Sequence, residues 1–149
     1  LGHRRMRDDA AVITESNRLM IPSTAELEDD PIRPEDVVSG TPHARALTWA
    51  VSADGTTSHW LWDCSAGAFR WWFGFDETVS IIEGSVTVQV DGEQPIVLGV
   101  GDAAYFPAGR WSTWTVDEYV RKHAVLRNPV PRSMSFVPRV LGPRKYARR

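Results

Sequence analysis

The chain has 149 residues, 42% of them apolar, a formal net charge of −2 and a single cysteine, Cys64. This length can bury one core without disulfides, so a single ordinary globular domain is expected. No apolar run approaches the roughly 20 residues of a membrane-spanning helix, and one thiol excludes both an intramolecular disulfide and a cysteine-based zinc site, making a reducing cytoplasm the expected compartment.

Residues 1–41 carry little pattern and read as an irregular N-terminal arm. The chain opens on Leu1-Gly2-His3 without the apolar core of a signal peptide; this start reads as a remnant of expression, and His3 is set aside. Glu26, Glu28, Asp29 and Asp30 form an acidic cluster that reads as a solvated face. Pro34-Glu35-Asp36 places acids behind a proline, which suits the first turn of one short helix ending near Gly40.

From Pro42 the pattern turns to short apolar runs separated by tight turns. Ala46–Val51 and Ser58–Cys64 flank Asp54-Gly55, a hairpin signal. Further candidate strands are Phe69–Phe73, Thr78–Glu83, Ser85–Val90, Pro95–Leu98, Ala103–Phe106, Ser112–Val116 and Val120–Leu126. With almost no helical period, this argues an all-β sandwich or barrel over residues 42–128, without an internal repeat. Residues 129–149 form a basic, proline-containing tail with no acidic residue. Its arginines accompany no nucleic-acid-binding motif, so it is expected to pack on its own barrel or on a mate.

The turn residues resemble the two motifs of the cupin superfamily. Six residues separate Glu77 from Gly84, and Gly101 is followed by five residues and then Pro107-Ala108-Gly109. The resemblance implies a single cupin-type jelly-roll barrel. Metal-binding cupins carry two histidines shortly before this glutamate and a third after the P-x-G turn; here those slots fall on Arg70 and Trp72, or Trp71 and Phe73, and on Ser112. No metal site and no cofactor is therefore expected, since transition-metal centres need three or four converging donors.

More narrowly, residues 40–128 resemble the ureidoglycine aminohydrolase-type cupins. The pieces in order are Gly40-Thr41-Pro42, Trp62-Asp63-Cys64, Phe69-x-Trp71, Asp76-Glu77, Glu83-Gly84, Gly101-Asp102, Phe106-Pro107-Ala108-Gly109, Trp114-x-Val116 and Arg121-Lys122. The aminohydrolase itself is a two-cupin manganese enzyme, so its reaction does not transfer to a one-cupin chain without the histidines.

Glu77 is the candidate catalytic or binding carboxylate. If it faces the barrel mouth it needs a partner, and Arg70 or Tyr105 is expected to supply one. Strand alternation gives Glu77, Val79 and Ile81 one face. The ligand pocket is expected from Trp71 and Trp114 on the motif strands, with Phe69, Arg70, Tyr105 and Ser112; most other rings are core. His43, His59 and His123 fit no ligand spacing, and Cys64 reads as a buried thiol. These features predict a small-molecule-binding, metal-independent cupin, whether a binding protein or a catabolic enzyme acting on a small carboxylate or amine. The alternatives are a divalent-metal aminohydrolase and a non-catalytic structural or regulatory dimer. Exposed rings on an outer sheet predict a two-fold homodimer in which Ala46–Val51, the arm or the tail crosses to the mate; no nucleic-acid or membrane partner is expected.

Overall fold

A computed structural model of the chain describes residues 17–130. Its strands are β1 (Glu28–Asp29), β2 (Val37–Gly40), β3 (Ala44–Val51), β4 (Thr57–Phe73), β5 (Asp76–Val90), β6 (Ile96–Gly99), β7 (Ala103–Phe106) and β8 (Arg110–Arg127). All pair antiparallel, so the fold is the all-β jelly roll expected from the sequence. No helix among the described residues is long and apolar enough to cross a membrane. The tail from residue 131 onward and His3 lie outside the described residues.

Three long strands build both layers. Residues 57–65 of β4, 119–127 of β8 and 76–84 of β5 form one layer, with β3 and β1 beyond β4 and β7 beyond β5. Their other halves, 67–73, 110–116 and 87–90, form the second, flanked by β2 and β6. The short runs expected as separate strands are thus halves of continuous ones. What looked like strand ends are bulges, between Ser65 and Gly67 in β4 and between Gly84 and Thr87 in β5, where the ladder bends without breaking. The helix expected to reach Gly40 is one 3-10 turn over Pro34–Asp36. Val37-Val38 is β-branched, and β2 pairs with β4 instead of continuing the turn.

Gly84 makes the corner of β5. Its φ is +69°, and a Cβ there would lie 1.9 Å from the Tyr119 carbonyl oxygen of β8.

Between the layers, Trp62, Phe69, Phe73, Val79, Ile81, Val88, Phe106, Trp114, Val116 and Val120 form the core. The outer face of the first layer carries a ladder of alternating charge: Asp29, Arg45, Asp63, Arg121 and Glu83 are successive cross-strand partners. Asp63, 1% exposed, accepts from Arg45 Nε at 3.0 Å, from Arg45 Nη2, from the Tyr119 hydroxyl at 2.7 Å and from Arg121 Nη1 at 3.1 Å. Burial alone would raise its pKa, but the bonds from Arg45 and Tyr119 and the two guanidinium charges outweigh burial and hold the carboxyl below its ordinary range. Arg121 also donates through Nη2 to the Ala25 carbonyl, fastening the chain before β1. Next to Asp63, Cys64 is fully buried, and its thiol is pushed up to about 12 by burial and the neighbouring carboxylate. Burial, with Arg121 nearby, pushes the His123 imidazole below its ordinary 6.5.

Two expectations follow from this packing. Gly55 and Gly84 share nearly the same positive φ, +71° and +69°, but a Cβ at Gly55 would meet nothing within 4 Å. Gly55→Ala should therefore cost about 1 kcal/mol of conformational strain, and Gly84→Ala about 3 kcal/mol or more, because the β8 backbone must also shift; urea denaturation giving equal costs would remove the clash from the account. Acid should destabilise the fold in two stages. A depressed His123 pKa means its contribution is complete above the ordinary 6.5 and is lost as the pH falls toward the folded-state value. Asp63, also depressed, contributes above the ordinary carboxylate pKa of 3.8 and loses that contribution only as the pH falls below it. Between pH 7.5 and 5, His123→Gln should show a flatter dependence of its urea midpoint than the parent protein.

Candidate functional site

The inner face of the first layer carries an ion pair. On β8, alternation gives Val120, Lys122, Ala124 and Leu126 one face, and Lys122 stands opposite Trp62 on β4 and Ile81 on β5. Its Nζ donates to Glu77 Oε1 at 2.8 Å, both side chains being 6% exposed. The same ammonium lies 4.2 Å from the centroid of the Trp114 ring and 4.7 Å from that of Trp62. A charge this deep requires a counter-ion, and the two π faces supply further negative potential around it.

Second-layer residues hold the rings in place. Phe69 stacks on Trp114 at 6.2 Å and 14°, and Trp62 meets Trp114 edge-on at 6.1 Å. Ser112, fully buried, accepts a hydrogen bond from Trp114 Nε1 at 3.1 Å and donates to the Trp71 carbonyl at 3.0 Å. Beside the ion pair is a cavity of about 30 Å³, lined by Asp30, Trp60, Trp71, Glu77 and Lys122 together with the Trp62, Phe69 and Trp114 rings. That volume holds one or two waters.

Of the residues singled out from sequence, Glu77, Phe69, Trp71 and Trp114 converge on this cavity. Arg70, Tyr105 and Ser112 do not line it. Arg70 lies between inward Phe69 and Trp71, so it points outward, where its guanidinium meets Asp91 at 2.6 and 2.7 Å and the Thr113 hydroxyl at 2.8 Å. Tyr105 is 61% exposed and pairs with Thr78, which points away from Glu77's face. Ser112 acts behind the rings. The partner of Glu77 is accordingly Lys122 rather than Arg70 or Tyr105, and Asp30 is a second acid in the lining. Asp30, Trp60, Trp62 and Lys122 escaped the sequence reading of the pocket. For Lys122 a signal existed, a cation in register with apolar Val120, Ala124 and Leu126; for Asp30, part of an acidic cluster, none did.

The donor set does not suit a transition metal. Among the described residues no group of three or more His, Cys, Asp or Glu side chains is placed to hold one, and the Lys122 ammonium already sits on the glutamate of the cupin skeleton. A second cation there would be repelled at short range. Chemically, the pair offers one proton donor and one acceptor side by side in a water-poor aromatic chamber.

The pair's coupling is measurable. Lys122→Met or Glu77→Gln alone leaves a buried group short of its partner, and the lysine variant should lose about 3–5 kcal/mol. The double variant should be more stable than the sum of the two losses predicts, as urea denaturation of all four proteins will show. Strict additivity would mean that the two groups do not interact.

Residues 51–124 match the family model for the EutQ-like cupin domain. No curated protein matches the chain. Among solved structures, a DUF861-family protein of unknown function from Pseudomonas syringae pv. tomato has a TM-score of 0.65 at 22% identity, the match covering 71% of this chain and 46% of that one, so this chain spans less than half that protein's length. EutQ from Clostridium difficile has a TM-score of 0.53 at 15% identity, over 66% of this chain and 81% of that one. The ethanolamine utilization protein Q of Salmonella typhimurium LT2 has 0.51 at 21% identity, over 64% and 76%. At these identities the likeness is one of fold. The glycine and proline skeleton, the family-model match and the shared jelly roll agree: residues 51–124 are similar to the EutQ-like cupin domain, and the fold is that of a cupin.

Proposed function

We propose that this cupin binds a small metabolite without a metal, with Lys122 and Glu77 as the polar floor of its site. The observation that carries the reading is the ion pair itself, 2.8 Å long and enclosed in aromatic rings at the cavity. As a stabilising device a buried ion pair is poor, since apolar side chains of the same volume usually do as well or better. Its position suits recognition: a ligand carboxylate can exchange for Glu77 on Lys122, and a ligand amine can exchange for Lys122 on Glu77. A cavity of about 30 Å³ takes only such a head group, leaving the ligand body between Trp60, Trp71 and Asp30. The amine half of this class is also in keeping with the name of the Salmonella relative, an ethanolamine utilization protein, and with the aminohydrolase-type motifs.

A thermal-shift screen of small amines and carboxylates, run with and without EDTA, tests the proposal. A ligand at a hundredfold excess over its dissociation constant should stabilise by about 2.7 kcal/mol, equally in the presence of chelator. Glu77→Gln, measured well below its own melting temperature, should bind an amine ligand roughly ten- to a hundredfold more weakly through loss of a charge-assisted contact of about 1.5–3 kcal/mol, whereas a carboxylate ligand, which displaces Glu77 from Lys122, should bind no more weakly than to the parent protein. Stabilisation abolished by EDTA, an amine held with equal affinity by Glu77→Gln, or a carboxylate weakened by that substitution would overturn it.

A further inference from the structure

A second and larger cavity, of about 110 Å³, lies among β5, β6, β7 and the start of β8. Trp114 faces the Lys122 cavity, whereas Phe73 and Phe106 face this one. The rings of Phe73 and Phe106 stack at 4.7 Å and contact Trp114 at 6.4 and 6.0 Å, so an aromatic partition stands between the two spaces.

The floor and the rim differ in character. Phe73, Val88 and Phe106, each no more than 3% exposed, make an apolar floor. Arg110, Glu93, Gln94 and Tyr105 stand at the rim. Arg110 reaches Glu93 Oε1 through Nη1 at 3.1 Å and the Asp91 carbonyl through Nη2 at 2.8 Å. The ring of Tyr105, 61% exposed, stands in water beside this hollow. An apolar hollow with a few converging polar groups is the general form of a small-ligand site.

We propose that this cavity binds a short aliphatic monocarboxylate, its carboxylate on Arg110 and its hydrocarbon body against Phe73, Val88 and Phe106. The guanidinium fork matches a carboxylate in shape and charge. Glu93, more than half exposed, occupies the ligand's place from within the chain. An ion pair that open to solvent is held weakly, so an incoming carboxylate can take it over. The apolar floor disfavours inorganic anions, which gain nothing from apolar contact. The volume is below the 150 Å³ of an engineered protein cavity that holds benzene, which favours a branched chain of a few carbons over an aromatic ring. The site depends on nothing at Lys122 or Glu77.

Isothermal titration with isovalerate, acetate and isopentylamine tests the assignment. Isovalerate should bind at least roughly tenfold more tightly than acetate, because its extra carbons leave water, and isopentylamine, the same shape with the opposite charge, should not bind. Arg110→Gln should weaken isovalerate at least tenfold, and Glu93→Gln should strengthen it severalfold by removing the internal competitor, an effect that damage to the fold cannot imitate. Glu77→Gln should leave it unchanged, which separates this site from the first cavity. The proposal fails if isovalerate does not bind, if the amine binds as well, if Arg110→Gln retains full affinity, if Glu93→Gln binds more weakly, or if Glu77→Gln weakens isovalerate as Arg110→Gln should.

Discussion

Asp63 fixes the register on which the interior depends. Its carboxylate takes hydrogen bonds from β3 through Arg45 and from β8 through Tyr119 and Arg121, so three strands are fastened at one point on the outer face. Side chains alternate along a strand, and pairing Asp63 with Arg121 outside therefore pairs Trp62 with Lys122 inside. A slip of one residue would turn Arg121 into the lumen and Lys122 out of it. Neighbouring cations on β8 thus serve opposite faces, and the outer one determines where the inner one lies. Because Arg121 is itself almost buried, 7% exposed, the slipped pairing would also strand a guanidinium away from its carboxylate, which is why the alternative is strongly disfavoured.

Within the lumen, Lys122 gives Glu77 a counter-charge drawn from the chain itself. In the metal-binding cupins that this skeleton resembles, an ion brings positive charge to the same glutamate. Here a tethered ammonium does so, wedged between Trp62 and Trp114. The rings do two things at once: they exclude water, which strengthens the pair, and they turn π faces toward the cation, which lessens the cost of taking it out of water. The outcome is a site with fixed polarity and little free volume, suited to recognising a head group rather than enclosing a whole molecule.

How much of this could be read in the sequence depended on the kind of residue. The skeleton from Gly84 to Gly109 was legible because positive φ angles and crowded backbones leave little choice but glycine, as at Gly84 against Tyr119. Phe69, Trp71 and Trp114 were legible as rings at strand spacing. Strand lengths were not, because a bulge such as that at Gly67 looks like a turn when only composition is seen. The sequence places Arg70 among the pocket candidates, yet it faces Asp91; neighbours on a strand cannot share a face, and only the pairing shows which parity looks inward. Lys122 is marked only by its register with apolar Val120, Ala124 and Leu126, a faint signal because a lysine in a strand normally faces water and nothing local announces the carboxylate 45 residues away in the chain. Asp30 reaches the cavity from the arm, through a crossing that has no periodic signature.

Cys64 lies on β4 between β3 and β8, paired with Ala44 on one side and Val120 on the other. It is the chain's one cysteine, wholly enclosed and with a thiol that stays protonated at neutral pH. An alkylating reagent can reach it as a thiolate only after these strands part, so the folded protein keeps its thiol silent. The position is therefore a natural clock: the rate at which Cys64 is labelled under native conditions counts how often the centre of the barrel opens, with no residue changed.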